Sequence, residues 1–291
     1  MPADSACPPI ITHADALLCR YDAVLCDIWG VLHNGVTEYT AAGDALERYR
    51  AQGGIVVLLS NSPAPSQEVA SILAGKDVRR TSWDRIVSSG DLTRARMREL
   101  GLARVHHIGP DRDLPLFAGQ RITLTGFETA EALVATGLID DRNEDADDYR
   151  DLLEQSVDLG LPMICANPDR IVDVGGTMLQ CAGALGDVYE ELGGRVFWEG
   201  KPYPHAYDMA VSVIEEIAGS SLSRQRILAI GDSVGTDMQG AAGAGIDALF
   251  VAQGIHREDV LKSGAVCPDG LSAILAAGAK SPVAATAELT W

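Results

Sequence analysis

The chain has 291 residues, 47% of them apolar and 22% charged, ordinary values for a soluble globular protein of one or two domains with the length to bury a large core. Its formal net charge of −18 argues against nucleic acid or an anionic membrane as a partner, since both need basic patches. A small anionic ligand stays open, because a metal ion or one lysine can reverse the field inside a site.

The six cysteines, Cys7, Cys19, Cys26, Cys165, Cys181 and Cys267, are scattered and form no Cys-x-x-Cys pair. They read as reduced thiols of a cytoplasmic protein. Met1 to Pro9 lacks the basic region and apolar core of a signal peptide, and no apolar run approaches the ~18 residues of a membrane span. The expected location is the cytoplasm.

His13 to Cys19 predicts a short helix, and Ala23 to Asp27 a strand whose apolar run ends on a carboxylate. Gly30 and then Asn34-Gly35 follow; Asn-Gly is a strong hairpin signal, because a type I′ turn needs positive φ at both central residues. Ala41 to Gln52 has helical spacing and stops at Gly53-Gly54. Ile55 to Leu59 is wholly apolar and ends on Ser60-Asn61-Ser62. Pro65 to Glu68 opens a helix, and Arg85 to Ser88 is a short strand.

The same alternation runs through the middle of the chain. Strands are expected at Val105 to Gly109, Ile122 to Gly126, Ala132 to Ala135 and Met163 to Ala166, and helices at Tyr149 to Leu159 and Thr177 to Leu192. The acidic run Asp140 to Asp151 reads as a solvated loop and helix start. The last third returns to the first pattern: a strand at Arg195 to Glu199 entering Gly200-Lys201-Pro202, a helix at Pro204 to Ile217, and an apolar strand at Arg226 to Ile230 ending on Gly231-Asp232-Ser233. A small-residue helix at Gly235 to Ala244, a strand at Ile246 to Ala252 and a helix at Leu271 to Ala277 complete it, and a mobile tail is expected from Lys280. Strand and helix alternate throughout, so the class is α/β with a mostly parallel sheet. The simplest organisation is one α/β domain, 13–89 and 195–280, interrupted by a second at 90–194.

Four apolar strands or strand–loop junctions end in polar residues: Asp27, Ser60-Asn61, Lys201, and Asp232 with Asp237. In a parallel sheet, strand ends at one edge converge, and that edge is where open α/β sheets hold ligands. Asp27 and Asp232 would then face each other, and two carboxylates in contact both stay ionised only with a cation between them. Oxygen ligands suit Mg²⁺, completed by water and a substrate phosphate. Ser60 can donate to a phosphate oxygen, and Lys201 supplies a point charge for Asp27 and the phosphate. The set suits phosphoryl transfer with an Asp nucleophile and an aspartyl-phosphate intermediate.

These residues resemble the motifs of the haloacid dehalogenase superfamily of Asp-nucleophile hydrolases. Asp27-Ile28-Trp29-Gly30-Val31-Leu32 is similar to the first motif, Leu58-Leu59-Ser60-Asn61 to the second, Gly200-Lys201-Pro202 to the third, and Gly231-Asp232-Ser233-Val234-Gly235-Thr236-Asp237 to the fourth. The resemblance implies Asp27 as nucleophile and metal ligand, Ser60 and Asn61 as phosphate ligands, Lys201 as the phosphate's cation, Asp232 as metal ligand and Asp237 in or near the metal shell. A long α/β insert between the second and third motifs, carrying Asn167-Pro168-Asp169, resembles the class IIA branch. That branch implies a Rossmann-like parallel-sheet core, an inserted α/β cap and Mg²⁺-dependent phosphatase activity on a small phosphorylated metabolite, sugar phosphates among the candidates. Its caps often pair two copies, so a homodimer is one outcome.

The resemblance breaks at Trp29. Phosphatases of this superfamily carry Asp there as general acid and base. The superfamily uses this position's backbone carbonyl as a metal ligand, which Trp29 can still supply. An indole cannot replace the acid, which contributes roughly 10²- to 10⁴-fold. Three readings stay open: a phosphatase that is slow or restricted to good leaving groups, one that takes its proton from another residue such as His33, and a protein that only binds a phosphorylated ligand. The dehalogenases carry an aromatic residue here and use no metal; Asp232, Thr236, Asp237 and the cap's position argue against that chemistry.

Overall fold

The computed structural model describes residues 7–276 and 281–291. Residues 1–6, the expected helix end at Ala277 and the start of the tail at Lys280 lie outside the described residues. The chain divides into two compact units: the described residues of Met1–Ser60, Ala70–Val87 and Pro204–Trp291, and those of Asn61–Val69 and Ser88–Tyr203.

In the first unit the apolar runs become a sheet. Among the described residues seven strands lie in the order Ile10–Ile11, Ala284–Thr286, Asp247–Val251, Ile227–Gly231, Ala23–Cys26, Ile55–Ser60 and Arg85–Ser88. Ala23–Cys26 is an interior strand, parallel to Ile55–Ser60 on one side and Ile227–Gly231 on the other. All four of its residues are buried, as a parallel strand covered on both faces must be. The helix Pro204–Ala218 buries Ala206, Tyr207, Ala210, Val211 and Ile214, a stripe at helical spacing, and packs on Ile55–Ser60.

The second unit has its own parallel sheet, in the order Val196–Trp198, Met163–Cys165, Ala132–Ala135, Arg104–Ile108 and Thr123–Leu124 among the described residues. Alternate residues feed two cores. Leu133, Ala135, Met163 and Cys165 pack with Leu153, Leu185 and Tyr189, while Val134 and Ile164 pack with Met97, Leu116 and Phe117. That is the period-2 geometry of strands buried on both faces. The α/β class expected from the alternation is the observed one.

Three local expectations differ. Thr177 to Gln180 is a strand, antiparallel to Ile171–Val174, and the helix is only Ala182–Glu191. Gly175 and Gly176, at φ 59° and 95°, form the turn that makes the hairpin. Asn34-Gly35 is not a type I′ turn, since of the two only Gly35 has positive φ. Asn34 Oδ1 accepts the Val36 and Thr37 N–H groups instead, an Asx turn closed by a single bridge between His33 and Glu38. The tail is part of the fold: Ala284–Thr286 pairs with both Ile10–Ile11 and Asp247–Val251, and Leu289 is fully buried. Among the described residues no helix is long and apolar enough to cross a membrane.

Candidate active site

Asp27 follows Cys26, and Asp232 follows Gly231, at the ends of two neighbouring parallel strands. Asp237 comes from Val234–Met238, where the chain winds in a wide π turn and Met238 N–H reaches back to Ser233 O at 3.1 Å. The turn swings Asp237 back to the strand end. Ligand oxygens of Asp27, Asp232 and Asp237, all three residues buried, lie within 4.8 Å of one another.

A main-chain N–H anchors one oxygen of each carboxylate. Ile28 N–H donates to Asp27 Oδ1 at 2.7 Å, Ile255 N–H to Asp232 Oδ2 at 2.6 Å and Ser233 N–H to Asp237 Oδ2 at 3.1 Å. Gly30 is required beside them: φ is 80°, and a Cβ there would lie 2.1 Å from Asp232 Oδ2. At an effective dielectric of about 20, each pair of ionised carboxylates at this separation repels by on the order of 3–4 kcal/mol. Three oxygen donors with no nitrogen or sulfur among them fit a hard divalent cation. Asp237, expected in or near the metal shell, stands in the cluster itself. The loop Gly254–His256, which supplies the anchor for Asp232, carried no signal in the sequence.

The Trp29 indole lies on the turn that follows. It meets His33 edge to face at 5.0 Å between centroids, and a Cβ on Gly35 would lie 2.5 Å from its Cζ2. His33, in a turn where a surface histidine is common, is 2% exposed. Its Nδ1 accepts the Gly35 N–H at 3.0 Å, which puts the ring proton on Nε2. Burial, and then the Lys76 ammonium, lower its pKa to about 4, so it is neutral at pH 7. Lys76 donates to Gly35 O.

That shift has a consequence for stability. His33 ionises near pH 6.5 when unfolded and near 4 when folded, so between those values the unfolded chain binds the extra proton. Its contribution is complete above pH 6.5 and declines as pH falls toward 4, by about 3 kcal/mol in all. Denaturant unfolding at pH 6.5 and pH 4 should show a smaller acid loss in His33→Asn than in the parent chain. An equal loss in both would contradict the assignment.

Ser60 is the last residue of Ile55–Ser60 and is buried. The register pairs Cys26 with Leu58, so Ser60 stands at the same sheet edge as Asp27. In the second unit Asn61 and Lys201 are brought together. Asn61 Nδ2 donates to Lys201 O at 3.0 Å, and Lys201 N–H donates to Asn61 Oδ1 at 2.7 Å. Asp169 and Ser89 also contact the Asn61 amide; nothing in the sequence singles out Ser89, and Asp169 stands out there only within Asn167-Pro168-Asp169. Glu199, buried two residues before Lys201, takes Arg96 Nε at 2.7 Å.

Two family models match. One, described as haloacid dehalogenase-like hydrolase, covers residues 24–122; the other, described as HAD-hydrolase-like, covers 198–277. A haloacid dehalogenase-like hydrolase from Brucella suis 1330 is 40% identical, with a TM-score of 0.85 over 96% of this chain and 99% of that one. A possible sugar phosphatase of the same superfamily from Cytophaga hutchinsonii is 21% identical, with a TM-score of 0.76 over 96% and 97%. A p-nitrophenyl phosphatase from Archaeoglobus fulgidus is 19% identical, with a TM-score of 0.70 over 92% and 96%. No match was found among curated proteins.

Proposed function

The chain belongs to the haloacid dehalogenase-like hydrolase family, and from that premise we propose that it is a Mg²⁺-dependent phosphomonoester hydrolase of the class IIA type. The observation that carries the reading is the buried cluster of Asp27, Asp232 and Asp237 at the carboxyl edge of a parallel sheet. We read the first unit as the hydrolase core and the second as the cap. The substrate is a small phosphorylated metabolite, with sugar phosphates the first to try, since the Cytophaga protein is described as a possible sugar phosphatase.

The roles divide by chemistry. Asp27 attacks phosphorus in line, and the phosphoryl group passes to its carboxylate as an aspartyl phosphate that water then cleaves. Ser60 donates to a phosphate oxygen, and Lys201 balances the phosphate's charge. Asp27, Asp232 and the Trp29 carbonyl would hold Mg²⁺, with Asp237 beside them. When bound, the ion offsets the carboxylates' repulsion and the charge of the phosphate. His33 is a weak candidate for the proton donor, because the ring is buried and neutral with Nδ1 already accepting from Gly35.

Trp29 favours one second reading, a protein that binds a phosphorylated ligand without turning it over. Purified chain should be assayed on p-nitrophenyl phosphate and a panel of metabolite phosphates, with Mg²⁺ and with EDTA. Release of phosphate only with Mg²⁺ is the expected result. Retained ligand binding with no turnover on any ester would replace the hydrolase reading with the binding one.

A further inference from the structure

We infer that Asn61 is a positioning residue for Lys201 rather than a ligand of phosphate, with Asp169 fixing the direction of its amide. The inference rests on the reading of Lys201 as the cation that meets the phosphate.

A primary amide offers two N–H donors and two acceptor lone pairs. Asn61 uses all four within the protein. Nδ2 donates to Lys201 O at 3.0 Å and to Asp169 Oδ1 at 2.9 Å. Oδ1 accepts from Lys201 N–H at 2.7 Å and from Ser89 Oγ at 3.4 Å. Two of these bonds go to both main-chain groups of Lys201, so one side chain holds the peptide planes on either side of its Cα. No donor remains for a phosphate oxygen.

The amide's direction is set by its neighbours. A carboxylate only accepts, so Nδ2 must face Asp169; a peptide N–H only donates, so Oδ1 must face Lys201. Asp169 is itself held. Its N–H donates to Asn167 Oδ1 at 3.1 Å, and its carbonyl accepts from Gly183 N–H at 3.0 Å at the start of Ala182–Glu191. Arg170 Nη1 donates to Pro168 O at 2.8 Å.

The segment before Lys201 has no slack either. Gly200 has φ 140°, and a Cβ there would lie 2.2 Å from Ser89 Oγ and 2.5 Å from Asn61 Oδ1. Glu199 is tied to Arg96. Residues 199–201 are therefore pinned in succession by Arg96, by close packing and by Asn61. That backbone sets where the four-carbon Lys201 side chain begins, and a misplacement of about 1 Å in a reacting site costs on the order of 100-fold.

The test is a double-mutant cycle of Asn61→Ala and Lys201→Ala, read as kcat and KM for p-nitrophenyl phosphate with Mg²⁺ and as affinity for inorganic phosphate by calorimetry. Asn61→Ala is expected to lower kcat/KM by about 100-fold. In the Lys201→Ala background it should cost no more than about twofold, because a residue acting only through Lys201 has nothing left to position. Mg²⁺ affinity should not move, since other bonds anchor the three carboxylates; a general loss of structure would move it. Losses that multiply in the double variant would show that Asn61 touches phosphate itself and would overturn the inference. So would Asn61→Ala with the parent's kcat/KM.

If Asn61→Ala does not fold, Asp169 carries the test. Asp169→Asn keeps an acceptor carbonyl and should retain most activity, while Asp169→Leu should fall by as much as expected for Asn61→Ala. Equal activity in the two would overturn the inference. If the parent chain hydrolyses no ester, the hydrolase reading fails, and the cycle is decided on phosphate affinity alone, with the same pattern expected.

Discussion

Trp29→Asp should raise turnover of alkyl phosphate esters by about 100- to 10,000-fold, the usual contribution of a positioned general acid. Trp29 stands two residues after the nucleophile, in a turn closed by Leu32 N–H to Ile28 O at 2.8 Å. Its indole covers Gly35 and His33, and an indole N–H is a hydrogen-bond donor only. It can shape the site but cannot protonate a departing alkoxide. A carboxyl group there supplies that proton and then takes one from water as the aspartyl phosphate is cleaved. p-Nitrophenyl phosphate, whose leaving group departs as a stable anion, should gain far less. Loss of the indole's packing should lower Tm, which a thermal scan of the variant measures separately. An unchanged rate on both esters would contradict the reading that a missing acid limits turnover, and so would an equal gain on both.

The second large effect is expected at Asp232. In EDTA, Asp232→Asn should be more stable than the parent by about 1–2 kcal/mol, because it removes one of three mutually repelling carboxylates. The asparagine carbonyl can still accept from Ile255 N–H, so the anchor seen at 2.6 Å is kept in kind. With Mg²⁺ at 100 times its dissociation constant the parent should gain about 2.7 kcal/mol, and the variant much less. The order of stability would then invert between EDTA and Mg²⁺. Thermal unfolding of both proteins under both conditions checks this. A variant destabilised equally in EDTA and in Mg²⁺ would mean that Asp232 is a structural residue and not a metal ligand. Activity should fall with metal affinity, whereas Asp27→Asn should lose all measurable turnover while still folding.

The parallel core was legible because its strands are fully buried and so read as continuous apolar runs, Ile55–Ser60 and Ile227–Gly231 above all. Each ends on the polar residue that the chemistry needs, which made Asp27, Ser60 and Asp232 visible together. Thr177 to Gln180 was not legible as a strand. Its four residues carry no period that outweighs the helix following it, and the deciding signal was Gly175-Gly176, which sets the turn. Ala284–Thr286 is too short and too small in side chain to announce itself; its place comes from pairing with strands far away in sequence. The same is true of Asn61. Beside Ser60 it looks like part of a phosphate loop, and only the long-range contacts to Asp169 and Lys201 reveal what its amide holds. The turn around His33 suggests an exposed ring, but the ring is buried, with the Trp29 indole edge to face against it.

The central claim is that Asp27 accepts the phosphoryl group. Rapid quench of the full chain during turnover of p-nitrophenyl phosphate with Mg²⁺, followed by peptide mass spectrometry, tests it most directly. The expected result is a phosphoryl group on the peptide containing Asp27, appearing before free phosphate, absent in EDTA and absent in Asp27→Asn. Phosphate release with Asp27 unmodified at every quench time, or turnover that survives Asp27→Asn, would contradict it.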